Sequence, residues 1–229
     1  MANRPYVFDM KIGLFGGTFD PIHYGHLRSA EEVREAFGLD RIIFIPTSIQ
    51  PLKSGAASNA ADRLKMARLA TAGNPAFSVS AIEVKRPGKS FTVDTLRDFA
   101  ARRPKASIYF IIGIDAFRDI GRWKSFKELF ELAHFIVTSR PGSGDRFGSG
   151  AIPVAARKSF CYDRVRDAFR HASGTRLHFL RLTDIAISAS EIRSRVRAGK
   201  SIRYLVPGKA ERYIKRRGLY GASRRGRTL

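Results

Sequence analysis

The sequence predicts an α/β fold, built as a doubly wound, mainly parallel sheet with a small C-terminal helical part. Apolar runs of strand length alternate with longer amphipathic segments from residue 11 onward. The order is β-α-β, and parallel strands joined in that order need crossover helices, which cover both faces of a sheet. A chain of 229 residues, 44% of them hydrophobic, also has enough apolar mass for one large core.

The elements follow in order. Residues 11–15 read as the first strand, 24–37 as a helix and 41–45 as the second strand. A helix at 60–72, a strand at 77–84, a helix at 92–102 and a strand at 107–112 continue the pattern. Further strands are expected at 134–138 and 177–182, separated by a less regular stretch. Residues 1–220 read as a single domain whose helical end spans 185–220. The glycine-rich 141–150 reads as a mobile loop, and the short, polar, basic 221–229 as a disordered tail.

The formal net charge is +22, and residues 191–229 hold thirteen Lys or Arg against only Glu191 and Glu211. Leu205, Val206, Tyr213, Ile214, Leu219 and Tyr220 are interleaved with those cations and read as core anchors, not as an exposed stacking platform. The basic stretch is therefore expected to be a solvated helical face whose field attracts phosphorylated small molecules, with nucleic acid not an expected partner. The single cysteine, Cys161, excludes an internal disulfide and a CxxC-type zinc site. The longest apolar strings, such as 108–112, fall far short of the roughly 20 residues that span a bilayer. These features predict a cytoplasmic protein without a membrane partner.

In a doubly wound sheet, ligands bind at the carboxyl ends of the strands, so the turns at 16–26, 46–54, 113–117 and 183–193 are the candidate sites. The first reads Gly16-Gly17-Thr18-Phe19-Asp20-Pro21-Ile22-His23-Tyr24-Gly25-His26. Two glycines at a strand end let backbone N–H groups approach a phosphate, and the following helix turns its positive end to the same place. His23 and His26, three residues apart, share one side of the first helical turn. There both could donate to oxygens that gain charge in phosphoryl chemistry, and Gly25 between them leaves room for a planar ligand. The last turn holds Ile187-Ser188-Ala189-Ser190-Glu191-Ile192-Arg193, where Ser188 and Ser190 can cap a helix and offer hydroxyls while Arg193 supplies a guanidinium fork. No GxxxxGK[ST] loop and no GxGxxG after a strand occurs, which leaves kinase and dehydrogenase readings without support.

The first segment resembles the HxxH signature of the nucleotidylyltransferase superfamily, and residues 187–193 resemble its ISxxxIR signature. Ser90-Phe91-Thr92 with Thr95-Leu96, Gly113-Ile114-Asp115 with Trp123, Arg140-Pro141-Gly142 and the closing Gly218-Leu219-Tyr220 are similar to bacterial nicotinate-nucleotide adenylyltransferases over nearly the whole chain. The resemblance implies a Rossmann-like domain that transfers an adenylyl group from ATP, with Mg²⁺ carried mainly by the ATP phosphates, to nicotinate mononucleotide in NAD biosynthesis. It implies catalytic roles for His23, His26 and Arg193. ATP would be bound by Gly16, Gly17, Thr18, Phe19, Gly25, Gly113, Asp115, Ile187, Ser188 and Ser190, with Asp115 on ribose hydroxyls. The acceptor would be bound by Thr47, Lys53, Ser90, Thr92, Trp123 and Lys124. Trp123 could stack on a pyridine ring, and Thr92 with nearby backbone N–H groups could meet its carboxylate.

Two departures stand out. Many relatives read N-N-x-P-P-H-[KR] where this chain has Thr47-Ser48-Ile49-Gln50-Pro51-Leu52-Lys53, and many have Tyr where Lys124 stands. The alternatives are another adenylyltransferase of the superfamily, acting on nicotinamide mononucleotide or pantetheine phosphate, and a basic nucleic-acid-binding protein.

Overall fold

A computed structural model describes residues 10–51, 56–139 and 148–221. Lys53, Arg140, most of the expected mobile loop (141–147) and the tail 222–229 lie outside the described residues.

Strand β1 (Lys11–Gly17) buries Ile12 and Leu14 on one face of the sheet. Helix α1 (Tyr24–Phe37) returns across the other face and stops at Gly38, whose φ of 57° suits glycine and whose N–H caps the Arg34 and Glu35 carbonyls. Strand β2 (Arg41–Pro46), helix α2 (Ala60–Thr71) and strand β3 (Phe77–Val79) complete the first half. A helical turn α3 (Ile82–Lys85) and helix α4 (Thr92–Arg102) lead into strand β4 (Ser107–Gly113). Helices α5 (Ile114–Arg118) and α6 (Phe126–Leu132) then precede strand β5 (His134–Thr138). After the turn α7 (Val154–Arg157) come β6 (Phe160–Asp163), β7 (Ala168–His171) and β8 (Arg176–Leu180). Helices α8 (Ala189–Arg197) and α9 (Gly208–Arg217) and a 3-10 turn at Leu219–Gly221 end the described chain.

The sheet order is β3-β2-β1-β4-β5-β8-β7-β6. Pairing is parallel from β3 to β8, and β7 and β6 add an antiparallel edge. The expected doubly wound, mainly parallel sheet is thus observed. One face packs Ile108, Phe110, Phe135 and Val137 against α4, α5 and α6. The other packs Ile42, Phe44, Ile111 and Ile136 against α1, α2, α8 and α9. Val206, Ile214 and Tyr220 are buried there, with Leu205, Tyr213 and Leu219 packed beside them, so the basic C-terminal part is anchored as expected. No helix among the described residues is long and apolar enough to cross a membrane.

The strand expected at 77–84 is corrected. Only Phe77–Val79 pairs with β2, and after the Ser80 N–H reaches the Phe44 carbonyl the chain turns helical, with the Lys85 N–H on the Ala81 carbonyl. Ile82 and Val84 fit a strand's alternation, yet β3 is an edge with no neighbour beyond it to continue the ladder.

At the amino ends of the strands, opposite the turns considered below, the His134 ring stacks on Tyr109 at 4.6 Å between centroids. Its Nδ1 accepts the Arg176 N–H at 3.0 Å. Burial first, then the neighbouring His178 and Arg176, lower its pKa to about 4. The folded chain therefore keeps His134 neutral where an unfolded chain would take up a proton. Its contribution is fully present above pH 6.5 and is lost as pH falls through about 4. His134→Asn is expected to flatten part of the acid decline in unfolding free energy across that window, by at most about 3 kcal/mol before solvent screening. Urea titrations at pH 7, 5.5 and 4 check this.

Candidate active site

Strand order reverses between β1 and β4, which makes their carboxyl ends the switch point where a crevice opens. The segments leaving β1, β2 and β4 meet there, and the start of α8 is brought in from far along the chain.

The β1 turn is held from beneath. Phe19 is buried at φ 50°, an unusual backbone for an aromatic residue. Its ring meets Phe15, Phe44 and His26 edge-on and lies where a Cβ on Gly17 would collide, 2.9 Å from the ring edge. The Asp20 carboxylate is buried too. One oxygen accepts the N–H groups of Ala57 (2.6 Å) and Ser58 (3.3 Å), and the other accepts the hydroxyls of Ser58 (2.5 Å) and Tyr220 (2.7 Å).

Beside it lies Arg63, on α2 and only 1% exposed. Its guanidinium donates to the carbonyls of Thr18 (2.9 Å), Thr47 (2.5 Å), Ser48 (2.9 Å) and Ser58 (3.3 Å). Burial lowers the Arg63 pKa, while the charge of Asp20 and then Tyr220 oppose that loss. Burial also pushes the Tyr220 phenol up, with Asp20 acting in the same direction, so it remains a donor. Arg63 was not among the residues singled out from the sequence, and Tyr220, expected there as a core anchor, also serves as a donor to Asp20. The signal was present for Arg63, which stands three and four residues before the buried Met66 and Ala67, in the apolar stripe of α2.

His23 is the N-cap of α1, and its N–H donates to the His26 Nδ1 at 3.3 Å, closing a capping box. The two imidazoles stack with centroids 3.7 Å apart. A Cβ on Gly25 would sit 3.1 Å from the His23 ring and 3.7 Å from the Ile187 carbonyl. The space that Gly25 leaves is thus filled by His23 itself and by the second signature. That signature is joined to the first directly, since Arg193 Nη1 donates to the Asp20 carbonyl at 2.7 Å. Ser188 caps α8 by accepting the Glu191 N–H at 3.2 Å, and its hydroxyl lies 3.2 Å from that of Ser190. Both serines are exposed, while Ile187 packs on the core.

On the β2 side, the N–H and hydroxyl of Thr47 both reach the Gly17 carbonyl, at 3.0 and 3.3 Å. The Ser48 N–H donates to the Ser90 hydroxyl at 3.0 Å, and the Ser90 N–H to the Ile49 carbonyl at 2.9 Å. Ser90 is buried, and Thr92 opens α4 half-buried. Trp123 is half-buried and edge-on to Phe110. Lys124 follows it, 3.3 Å from Asp94 and 4.8 Å above the Phe91 ring, tying this turn to the start of α4. Gly113 N-caps α5 beside open space, and Asp115 is exposed in the first turn. Among the described residues, no three His, Cys, Asp or Glu side chains group so as to hold a metal ion.

A glycine turn, paired imidazoles and a distant arginine meeting at a switch point are the geometry of a nucleotidyltransferase. The sequence model of the cytidylyltransferase-like family matches residues 14–195. A probable nicotinate-nucleotide adenylyltransferase of Syntrophotalea carbinolica is 47% identical over 217 residues, which is 94% of this chain and 100% of that protein. One from Citrifermentans bemidjiense is 45% identical over 212 residues, 92% and 98% of the two chains. The chain belongs to the cytidylyltransferase-like family and, within it, to the nicotinate-nucleotide adenylyltransferases, as its signatures implied.

A solved structure of Plasmodium falciparum nicotinic acid mononucleotide adenylyltransferase complexed with NaAD matches with a TM-score of 0.70 at 17% identity, covering 93% of this chain and 98% of that one. The same enzyme complexed with APC gives 0.69 at 16% identity with the same coverage. At such identity the likeness establishes the fold.

Arg63→Met would leave buried carbonyls of three segments without their donor, whereas Tyr220→Phe removes one donor from Asp20. Tyr220→Phe is expected to lower unfolding free energy by about 1.5–3 kcal/mol, and Arg63→Met by more. Urea midpoints of the two variants against the parent protein check the order.

Proposed function

We infer that this chain transfers the adenylyl group of ATP to nicotinate mononucleotide, releasing pyrophosphate and forming nicotinate adenine dinucleotide. The observation that supports the reading most is the Arg193 bond to the Asp20 carbonyl, which sets a cationic fork from the second signature beside the stacked His23 and His26.

In this reading a phosphate oxygen of the acceptor attacks the α-phosphorus of ATP in line. A new P–O bond forms as the bond to the β-phosphate oxygen breaks, and pyrophosphate leaves with that electron pair. The acceptor phosphate is already ionised near neutral pH, so positioning and charge neutralisation dominate over base catalysis. His23, His26 and Arg193 donate to the oxygens that gain charge, and Ser188 and Ser190 with the start of α8 hold the β- and γ-phosphates. Gly16, Gly17, Thr18, Phe19, Gly25 and Ile187 shape the triphosphate and adenosine cleft. Gly113 and Asp115 take the ribose.

Mg²⁺ would enter on the triphosphate, held by phosphate oxygens and water, and would neutralise their charge. The Asp20 oxygens, the nearest carboxylate donors in the first signature, are already engaged by Ala57, Ser58 and Tyr220.

For the acceptor, Trp123 supplies a ring face, Thr92 and adjacent N–H groups supply donors to a carboxylate, and the phosphate and ribose are assigned to Thr47, Lys53 and Lys124. A pocket that offers only donors favours the acid over the amide. A site in the cytoplasm, where ATP is at hand, fits this chemistry.

Pyrophosphate release measured with ATP and, in turn, nicotinate mononucleotide, nicotinamide mononucleotide and phosphopantetheine tests the reading, with the first expected to have the highest kcat/KM. His26→Ala is expected to lower turnover by about 10²–10³ and, through the lost hydrogen bond to the His23 N–H, the melting temperature by a few degrees only. Near-parental turnover in that variant would remove His26 from the reaction.

A further inference from the structure

Residues 181–188, which join β8 to α8, form neither helix nor strand, yet they lead straight into the second signature. A segment without its own ladder of hydrogen bonds takes its shape from its neighbours. At its root the Leu182 N–H donates to Ser139 Oγ at 3.0 Å. One residue on, the Thr183 N–H donates to Glu32 Oε2 at 2.8 Å. At its far end a Cβ on Gly25 would come within 3.7 Å of the Ile187 carbonyl, and the Leu182 and Ile187 side chains pack on the apolar core.

Glu32 and Gly25 both belong to α1, the helix whose start carries His23 and His26. At about 1.5 Å per residue, the helix between them measures roughly 10 Å. The stretch from Thr183 to Ile187 can reach about 13–14 Å when extended, enough to cover that distance. It therefore lies back along α1, from Glu32 towards the imidazole pair, and the helix sets the spacing between its two ends.

Glu32 is suited to this hold. Its other oxygen, Oε1, accepts Arg28 Nε at 2.6 Å from one turn earlier on the same helix. The Glu32 side chain is 14% exposed against 48% for Arg28, so water competes little for the carboxylate. A backbone N–H bound to a carboxylate is held about twice as strongly as one bound to a neutral acceptor. A side chain already gripped at one oxygen also has fewer rotamers to lose when the other takes up the Thr183 N–H. Arg193 acts elsewhere, fixing α8 itself through the Asp20 carbonyl.

We propose that Glu32 is a positioning residue for ATP: by holding the Thr183 N–H it keeps residues 183–187 along α1, with Ile187 at the wall of the cleft. This rests on the adenylyl-transfer reading, in which Ile187 belongs to the ATP cleft. Because Arg193 keeps α8 in place independently, loss of Glu32 falls on ATP binding and leaves the rate at saturation.

Glu32→Ala, Glu32→Gln and Arg28→Ala test this by calorimetric titration with ATP and Mg²⁺, and by steady-state pyrophosphate release with each substrate varied. Amide hydrogen exchange of residues 181–188 and thermal melts accompany them. Glu32→Ala is expected to raise Kd and KM for ATP about tenfold and to speed exchange at Thr183, while kcat and KM for nicotinate mononucleotide change about twofold or less. Glu32→Gln keeps a carbonyl oxygen for the Thr183 N–H and is expected to recover most of the loss. Arg28→Ala keeps the carboxylate and is expected to weaken ATP less than Glu32→Ala does.

A purely structural role would lower the melting temperature and shift both substrates alike. That result, an unchanged ATP affinity in Glu32→Ala, no recovery in Glu32→Gln, or an equal loss in Arg28→Ala would each overturn the proposal. If Glu32→Ala does not fold, Glu32→Asp decides, since it keeps the charge but draws the oxygens back by one methylene. An ATP-selective loss with faster exchange at Thr183 then supports the hold, and an unchanged ATP affinity overturns it. A parent protein that binds ATP but turns over none of the three acceptors overturns the adenylyl-transfer reading alone, and the ATP Kd values of the variants decide the role of Glu32. A parent protein that does not bind ATP overturns both.

Discussion

Where β1, β2 and the start of α2 converge, four backbone carbonyls point into a space closed to water, and the Arg63 guanidinium supplies their donors. A buried carbonyl left without a donor costs on the order of 1–3 kcal/mol, and a buried cation without an anion costs more. Asp20 answers the second cost, since its charge favours the ionised Arg63 and its oxygens are themselves saturated by Ala57, Ser58 and Tyr220. The result is a fixed polar core beneath the β1 turn. A wholly apolar core could not do this, because the turn's carbonyls have to point somewhere.

From that base the rest of the crevice follows. The Asp20 carbonyl receives Arg193 while the residue's carboxylate is held by Ala57, Ser58 and Tyr220, and α8 is thereby set against α1. His23 both caps α1 and stacks on His26, so the position of the imidazole pair is tied to where the helix begins. His23, His26 and Arg193, proposed to act on the phosphates, are each tied to a backbone group, which holds them in place before any ligand arrives.

The parallel strands were legible in the sequence because buried strands are short, continuous apolar runs, as in 107–112 and 134–138. The signatures were legible because their glycines end a strand and their histidines and serines open the helices that follow strands. The antiparallel edge was not foreseen: Tyr162 is half exposed, Cys161 and Arg170 face solvent, and each strand is four residues long, too short for a periodic signal. Arg63 and Glu83 were missed for a different reason. A charge reads as polar surface even where, as at Arg63, its spacing marks the buried face, and only the tertiary partners, backbone carbonyls for one and the Thr95 hydroxyl for the other, make burial tolerable. Ser90 was read as touching the acceptor, but in the structure its buried hydroxyl accepts the Ser48 N–H.

The bond between Tyr220 and Asp20 joins residues separated by 200 positions. Proteins are made from the amino end at about 5–20 residues per second, so the turn that carries His23 waits roughly 10–40 s for its last hydrogen-bond donor to be polymerised. During that interval Asp20 and Arg63 lack their finished enclosure, and both are charges that prefer water to a partial core. The nascent chain therefore has reason to keep its β1 turn open until α9 docks on α2, and loss of the closing Gly218-Leu219-Tyr220 should act at the first strand's end, the far end of the sequence from the cut.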